Sequence, residues 1–264
     1  MRRCFSSLGC AEFSLDEVLA LARAHGIAAV ELRALGGTLD LPAWFAAHYG
    51  TPAGLAARLE TEPVRVVALD TSLRLVGSTG EEWEKTLGAF LPWAEALGGV
   101  RLRVFDGGGP AIAGEVARMA ERPDWWRGWR RERGWRSEVM VETHDRLFTA
   151  AAVQELLTAA PGTKILWDSH HTWKRGGEDP AATWQALAPH IGHIHVKDSV
   201  SRPSAQLPYS YVLPGTGEFP AAALRSRLRA EYAGELSLEW EKLWHPDLPE
   251  LARALASAGQ RDWW

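Results

Sequence analysis

Eight short runs of apolar and β-branched residues alternate with longer Ala- and Leu-rich stretches along the chain, and this alternation narrows the folds open to it. The runs are Arg3–Leu8, Ala28–Leu32, Val64–Leu69, Val100–Phe105, Glu138–Glu142, Lys164–Asp168, His193–Val196 and Leu236–Glu239. Each has strand length, whereas the stretches between them carry helical periodicity. Parallel strands cannot be joined by a tight turn and need a crossover, usually a helix, so the pattern predicts an α/β fold. The 264 residues come close to the roughly 250 of one (β/α)8 barrel. No Ser/Gly linker or low-complexity tract interrupts them. A single (β/α)8 TIM barrel over residues 1–264, as one domain, is therefore expected, with an open doubly wound sheet as the alternative. Helix boundaries agree: Ser14-Leu15-Asp16-Glu17 reads as a capping box, Asp179-Pro180 puts an acceptor before a first-turn proline, and Pro220 opens another helix. Gly26 and Gly98 fall where helices should stop.

The formal charge of −4 provides no overall attraction to nucleic acid or to anionic lipid. Cys4 and Cys10 are too few for a disulfide framework and have no zinc-binding spacing. The opening MRRCFSSLGCAEF lacks the apolar run of a signal peptide, and no segment approaches the ~20 apolar residues of a membrane span. The expected location is the cytoplasm, without a membrane partner. One segment, Arg122–Arg136, interleaves four tryptophans with six arginines. As a nucleic-acid surface it would stack bases on the indoles. The favoured reading is structural: after a break at Pro123, Trp125, Trp126 and Trp129 cover the barrel wall while Arg127, Arg130 and Arg131 face water or pair with acids. A contact in a homo-oligomer is the commoner use of such a patch.

The chemistry is concentrated at strand ends, because the C-terminal ends of barrel strands line the open mouth. The fifth strand ends VMVETHD, the sixth ILWDSHHTW, the seventh HIHVKDS and the eighth LSLEWEK. One acid at a strand end commonly caps the next helix. Four consecutive strands closing on Glu142, Asp168, His195 and Glu239 point instead to a metal site. Three carboxylates and an imidazole suit one divalent ion, Mn2+, Mg2+, Co2+ or Zn2+. Side chains alternate along a strand, so His193 shares a face with His195 and Glu241 with Glu239. His195 is the predicted ligand, and His193 a deeper structural partner. By the same parity Trp240 faces the helices. Glu31, Arg33, Asp70, Arg103 and Asp106, at the first-half rim, either read substrate hydroxyls or a phosphate or anchor loops.

The segments VMVETHD, WDSHH, HIHVKD, PGTGEF and GELSLEWE, in that order, resemble the xylose isomerase-like barrel superfamily. The similarity is greatest to its sugar phosphate isomerase/epimerase branch, with ketose 3-epimerases, inosose dehydratase and hydroxypyruvate isomerase, and with endonuclease IV as a distant relative. The resemblance implies Glu142, Asp168, His195 and Glu239 as metal ligands, His171 as a polar contact to substrate, and Arg202 as a contact to substrate oxygens or phosphate. It implies proton transfer beside a metal-chelated carbonyl of a small carbohydrate or polyol ketone, with Glu142 and Glu239 on opposite faces of a flat intermediate. His144, His171, Lys197 and Asp198 are candidates for the auxiliary acid or for orienting the substrate; the alternative for Lys197 and Asp198 is a mutual pair that stiffens the mouth. Isomerase or epimerase is the leading expectation and an inosose-type dehydratase the alternative. An endonuclease IV-like phosphodiesterase ranks lower, since Asp70 and Asp106 stand where its cluster has histidines. A sugar-binding barrel without turnover also ranks lower.

Overall fold

The computed structural model describes residues 1–109 and 115–264. Its sheet begins with β1 (Arg2–Ser6), β2 (Ala29–Leu32), β3 (Arg65–Val76) and β4 (Arg101–Gly107). It continues with β5 (Val139–Glu142), β6 (Lys164–Asp168) and β7 (Ile191–Val196). After a two-stranded antiparallel ribbon, β8 (Ser199–Val200) with β9 (Ser210–Tyr211), comes the eighth barrel strand, β10 (Glu235–Leu238). All eight barrel strands are parallel and the barrel is closed, with Arg2 opposite Glu235 and Phe5 opposite Leu238 where β1 meets β10.

The helices of the outer ring are α1 (Leu15–Ala24), α2 (Leu41–Tyr49), α3 (Pro52–Leu59), α4 (Gly80–Ala96), α5 (Glu115–Arg133), α6 (Ala150–Ala159), α7 (Ser169–Lys174), α8 (Pro180–Leu187), α9 (Ala221–Glu231) and α10 (Leu251–Gln260). Ser14 and Glu17 form the reciprocal capping box of α1, and Asp179 accepts from the Ala182 amide ahead of α8. Gly26 and Gly98 take positive φ beyond α1 and α4, the left-handed step that ends a helix with little steric cost when no Cβ is present.

Each strand run falls in its expected place, although β1 stops at Ser6, short of the expected Leu8, and β4 runs on to Gly107. β3 continues to Val76, past the expected Leu69, because residues 71–76 keep a polar–apolar alternation that pairs with the end of β4. Asp70 is therefore within a strand. The break expected at Pro123 is absent: α5 runs through it. An interior proline costs a helix roughly 3 kcal/mol. Burial of Met119 and of the larger Trp126, about 1.5–3 kcal/mol for a methionine alone, offsets that cost.

The tryptophans of α5 cover the barrel wall. Trp126 is buried and donates to Glu138 at 3.0 Å, Trp125 stacks on Trp129 at 5.2 Å, and Arg130 pairs with Glu138 at 2.5 Å. Arg127 pairs with Asp124.

Period-two alternation sorts the strands into two layers. Val30, Leu32, Leu102, Val104, Val141, Ile165, Trp167, Ile194, Val196, Leu236 and Leu238 join the large apolar core between strands and helices. Ala68, Met140 and Leu166 form a small separate cluster inside the barrel. The inward positions nearer the mouth are polar and buried: Glu31, Asp70, Arg103, Glu142, Asp168, His193, His195 and Lys197. Among the described residues no helix is long and apolar enough to cross a membrane.

Candidate metal centre

Glu142 ends β5, Asp168 ends β6, His195 is the inward residue near the end of β7, and Glu239 follows β10. Their strands are consecutive around the barrel, so the four side chains point into one space. One ligand atom from each lies within 4.8 Å of the other three, and all four residues are buried. Asp168 has two functions at once. Its Oδ1 accepts from the His170 and His171 amides, both at 2.9 Å, and so caps α7, while Oδ2 is left for the cluster. One oxygen thus caps the helix while the other faces the cluster.

His195 is oriented by a layer below. Glu31, at the mouth end of β2, places Oε2 2.5 Å from His193 Nε2 and Oε1 2.8 Å from His195 Nε2. With Nε2 turned to Glu31, Nδ1 faces Glu239 at 3.4 Å and Glu142 at 3.5 Å. A carboxylate behind a ligating histidine fixes its tautomer and ring plane. His193 is the deeper partner that parity predicts. Burial disfavours a charged imidazole, yet the Glu31 and Glu239 carboxylates hold His195 well above the ordinary histidine range.

Two buried cations balance the carboxylates. Arg103 on β4 lies 3.5 Å from Asp70 and 3.3 Å from Glu142 Oε2. Burial opposes ionisation of Glu142, but the Arg103 guanidinium and His195 together outweigh it and bring that carboxyl down to about 2. Lys197 touches Asp168 at 2.8 Å, Glu241 at 2.5 Å, and Glu239. Glu239 is likewise held well below the usual carboxylate range, burial being outweighed by Lys197 and His195.

The alternative of a mutual Lys197–Asp198 pair does not hold. Asp198 turns the other way and accepts from the amides of Ser199, Gly215, Gly217 and Phe219 at 2.8–3.1 Å, which ties down the Pro214–Phe219 loop. A Cβ on Gly217 would lie 2.2 Å from Asp198 Oδ1, which explains the glycine. Asp106 does the same for the loop after β5, accepting from four successive amides, His144 to Leu147, at 2.6–3.3 Å. Asp106 is thus a loop anchor.

His171 is buried, with Nδ1 3.1 Å from the Thr143 carbonyl and 3.3 Å from Asp168 Oδ2. A carbonyl only accepts, so Nδ1 carries the proton and Nε2 a lone pair. Burial and the Lys197 charge hold this imidazole well below the ordinary range, hence neutral. The His144 ring stands edge-on to His171 at 4.9 Å, and its Nδ1 is 2.9 Å from Asp145. Arg202 is not brought to the cluster: it lies exposed between β8 and β9 with no ion pair among the described residues. Trp240 packs outward, donating to the Pro249 carbonyl at 2.7 Å.

The donor set fits a divalent cation. Glu142 Oε2, Asp168 Oδ2 and His195 Nδ1 are buried and make no directed hydrogen bond; Arg103 and Lys197 offset the two carboxylate charges, and the lone pairs of all three atoms suit a divalent ion. Three oxygens and one nitrogen from four residues leave room for substrate oxygens. A cavity of about 470 Å³ at the other end of the barrel, lined by Arg2, Arg65, Arg101 and Glu235, contains no comparable ligand set.

The glutamate behind His195 and the Lys197 and Arg103 bridges were not expected from sequence. Glu31 and Arg33 alternate with Val30 and Leu32, so parity alone could have turned both toward the site. No curated protein matches the chain. Many solved structures share its fold, three of them as follows. One, described as the probable 3-DHS dehydratase AsbF involved in petrobactin synthesis, from Bacillus anthracis, is 20% identical, with 99% of this chain and 100% of that chain covered at a TM-score of 0.78. The IolI protein with a bound zinc atom is 19% identical, with 99% and 96% covered at 0.73. A xylose isomerase domain protein from Alicyclobacillus acidocaldarius is 20% identical, with 99% and 97% covered at 0.73. The family model for the xylose isomerase-like TIM barrel matches residues 19–259, and the chain belongs to that family.

Proposed function

We propose that the protein is a divalent-metal-dependent isomerase or epimerase of a small sugar or sugar phosphate, working by proton transfer at the carbon beside the carbonyl. The observation that carries this reading is the convergence of Glu142, Asp168, His195 and Glu239, with ligand atoms within 4.8 Å of one another, at the mouth of the barrel. These four residues would hold the ion, which is of the class bound by the IolI structure. When bound, a divalent ion supplies Lewis acidity at a carbonyl oxygen and so acidifies the neighbouring C–H.

The residues of the chain supply the rest. Glu142 and Glu239 stand on β5 and after β10, separated around the barrel by β6 and β7, and approach a substrate from different sides. Both are ionised at neutral pH, the state needed to accept a proton. One takes the proton and the other returns it. Neutral His171 accepts a hydroxyl hydrogen at Nε2 and so orients the substrate. Lys197 holds Asp168, Glu239 and Glu241 together and keeps three carboxylates from repelling one another. His144 borders the same space through its contact with His171.

Dehydration begins with the same proton removal, and the description of the AsbF structure makes it the second reading. A panel of ketoses, ketose phosphates, inososes and short hydroxy-keto acids in D2O, with metal supplied, tests both. Deuterium entering the carbon beside the carbonyl supports proton transfer; an accompanying loss of water from the product assigns dehydration. No exchange across the panel sinks the proposal.

A further inference from the structure

We propose that Arg33 selects an anionic substrate, its guanidinium receiving a carboxylate or phosphate group on the polyhydroxylated carbonyl compound; this rests on the proton-transfer reading of the site. Arg33 follows β2 at the mouth, two residues beyond Glu31 and on the same inward face, and is only 5% exposed. Its Nη1 donates to the Asp70 carbonyl at 3.2 Å and its Nη2 to Ser72 Oγ at 2.9 Å. Both acceptors are neutral, and Arg33 makes no ion pair among the described residues.

The other buried cations of the mouth are neutralised differently. Arg103 faces Asp70 and Glu142, and Lys197 faces three carboxylates. Arg33 instead shares the Phe105 ring with Arg103, whose Cζ is 3.9 Å from the ring centroid against 6.0 Å for Arg33. Burial, then the charge of Arg103, draws Arg33 down to about 10, so it remains charged at neutral pH. Asp70, Glu142 and Glu239 act on it only from a distance, and a buried guanidinium with no carboxylate in contact is costly to keep unless a ligand supplies one.

Two of its five N–H donors are engaged, and those remaining suit the fork geometry of an oxyanion. Placement is consistent with a substrate end group. Phe105 meets His144 at 4.8 Å between ring centroids and His144 meets His171 at 4.9 Å, so a run of ring contacts joins Arg33 to the residues proposed to touch the substrate hydroxyls. Carboxylate and phosphate share this chemistry, and the experiment separates them.

The metal-loaded wild type and Arg33→Met are titrated calorimetrically with inorganic phosphate and, separately, with glycolate. Deuterium exchange is then followed with a neutral ketose, a ketose phosphate and a hydroxy-keto acid. Loss of one charge-assisted contact should weaken the preferred anion about tenfold or more in Arg33→Met. Exchange with the matching anionic substrate should fall by at least as much, and by clearly more than exchange with the neutral ketose. The preferred titrant tells phosphate from carboxylate. Equal anion affinity in both proteins, no anion binding by the wild type at millimolar concentration, or an equal loss for neutral and anionic substrates overturns the proposal. Should Arg33→Met fail to fold, Arg33→Lys keeps the charge without the fork and should show a partial loss confined to the anionic probes; no loss there overturns it as well. Failure of every compound to exchange, with phosphate or glycolate binding still lost in Arg33→Met, would sink the proton-transfer reading and leave the anion site standing.

Discussion

Glu31 holds both inward histidines of β7 with one carboxylate, so its effect on the site comes entirely through other residues. Carboxylates behind ligating histidines typically change metal affinity 10- to 100-fold. Glu31→Gln keeps the shape but replaces one acceptor with an amide that donates. Metal affinity measured by competition with a chelator should drop about 10- to 100-fold in this variant while circular dichroism stays unchanged; unaltered affinity would remove Glu31 from the site. Glu142→Gln and Asp168→Asn take away proposed ligands directly. Each should lower bound metal from about one ion per chain toward none, and retention of a full equivalent in both would contradict the assignment. Two or more ions in the wild type would favour the phosphodiesterase alternative.

At the scale of elements, Asp106 and Asp198 act as staples that connect strand ends to the loops beyond them. Asp198 gathers four backbone amides, and a buried donor left unpaired costs about 1–3 kcal/mol. Asp198→Ala should therefore lower stability in urea by at least about 2 kcal/mol. Gly217→Ala places a Cβ 2.2 Å from Asp198 Oδ1 and 2.7 Å from the Ser199 carbonyl and should destabilise as well, but less in the Asp198→Ala background, because the nearer of the two is gone. Additive losses in the double variant would show that the clash is not with Asp198.

The strand ends were legible in the sequence because a closed parallel barrel turns a linear alternation into a ring of ends, and the eight expected strands are the eight observed. The length of β3 and the passage of α5 through Pro123 were less legible, since pairing with β4 and burial of Met119 and Trp126 decide them. The link from Glu31 to His193 spans 162 residues and leaves no local mark. Lys197 and Asp198 are sequence neighbours beyond the end of β7 that point in opposite directions, so two separate anchors are found in place of the alternative mutual pair.

For the molecule as a whole, a metal on four strand ends would bind the folded barrel and not the unfolded chain. Saturating metal should raise the thermal midpoint, with a stabilisation of about 2.7 kcal/mol at a hundredfold excess over Kd; a midpoint indifferent to metal would argue against the site. At the opposite end, Glu235 joins Arg2 at 2.6 Å and Arg101 at 3.3 Å. Burial raises its pKa, the hydrogen bond and charge of Arg2 lower it more, and the net direction is down. A carboxylate with a depressed folded pKa stabilises above its unfolded value near 4.5, and that stability is lost as the pH falls through the folded value. Glu235→Gln should accordingly reduce stability at pH 7 and flatten its acid dependence below that value; an unchanged acid profile would exclude the pair.

The seam at which Arg2 meets Glu235 joins positions 233 residues apart. During synthesis the strand edges of β1 and β7 therefore have no neighbour until β10 has left the ribosome, a wait of seconds at roughly 5–20 residues per second. For that interval the nascent chain presents two open sheet edges, the kind of surface that recruits a second chain or a chaperone. Yield in the cell would then depend on how quickly the segment between β7 and β10 is translated.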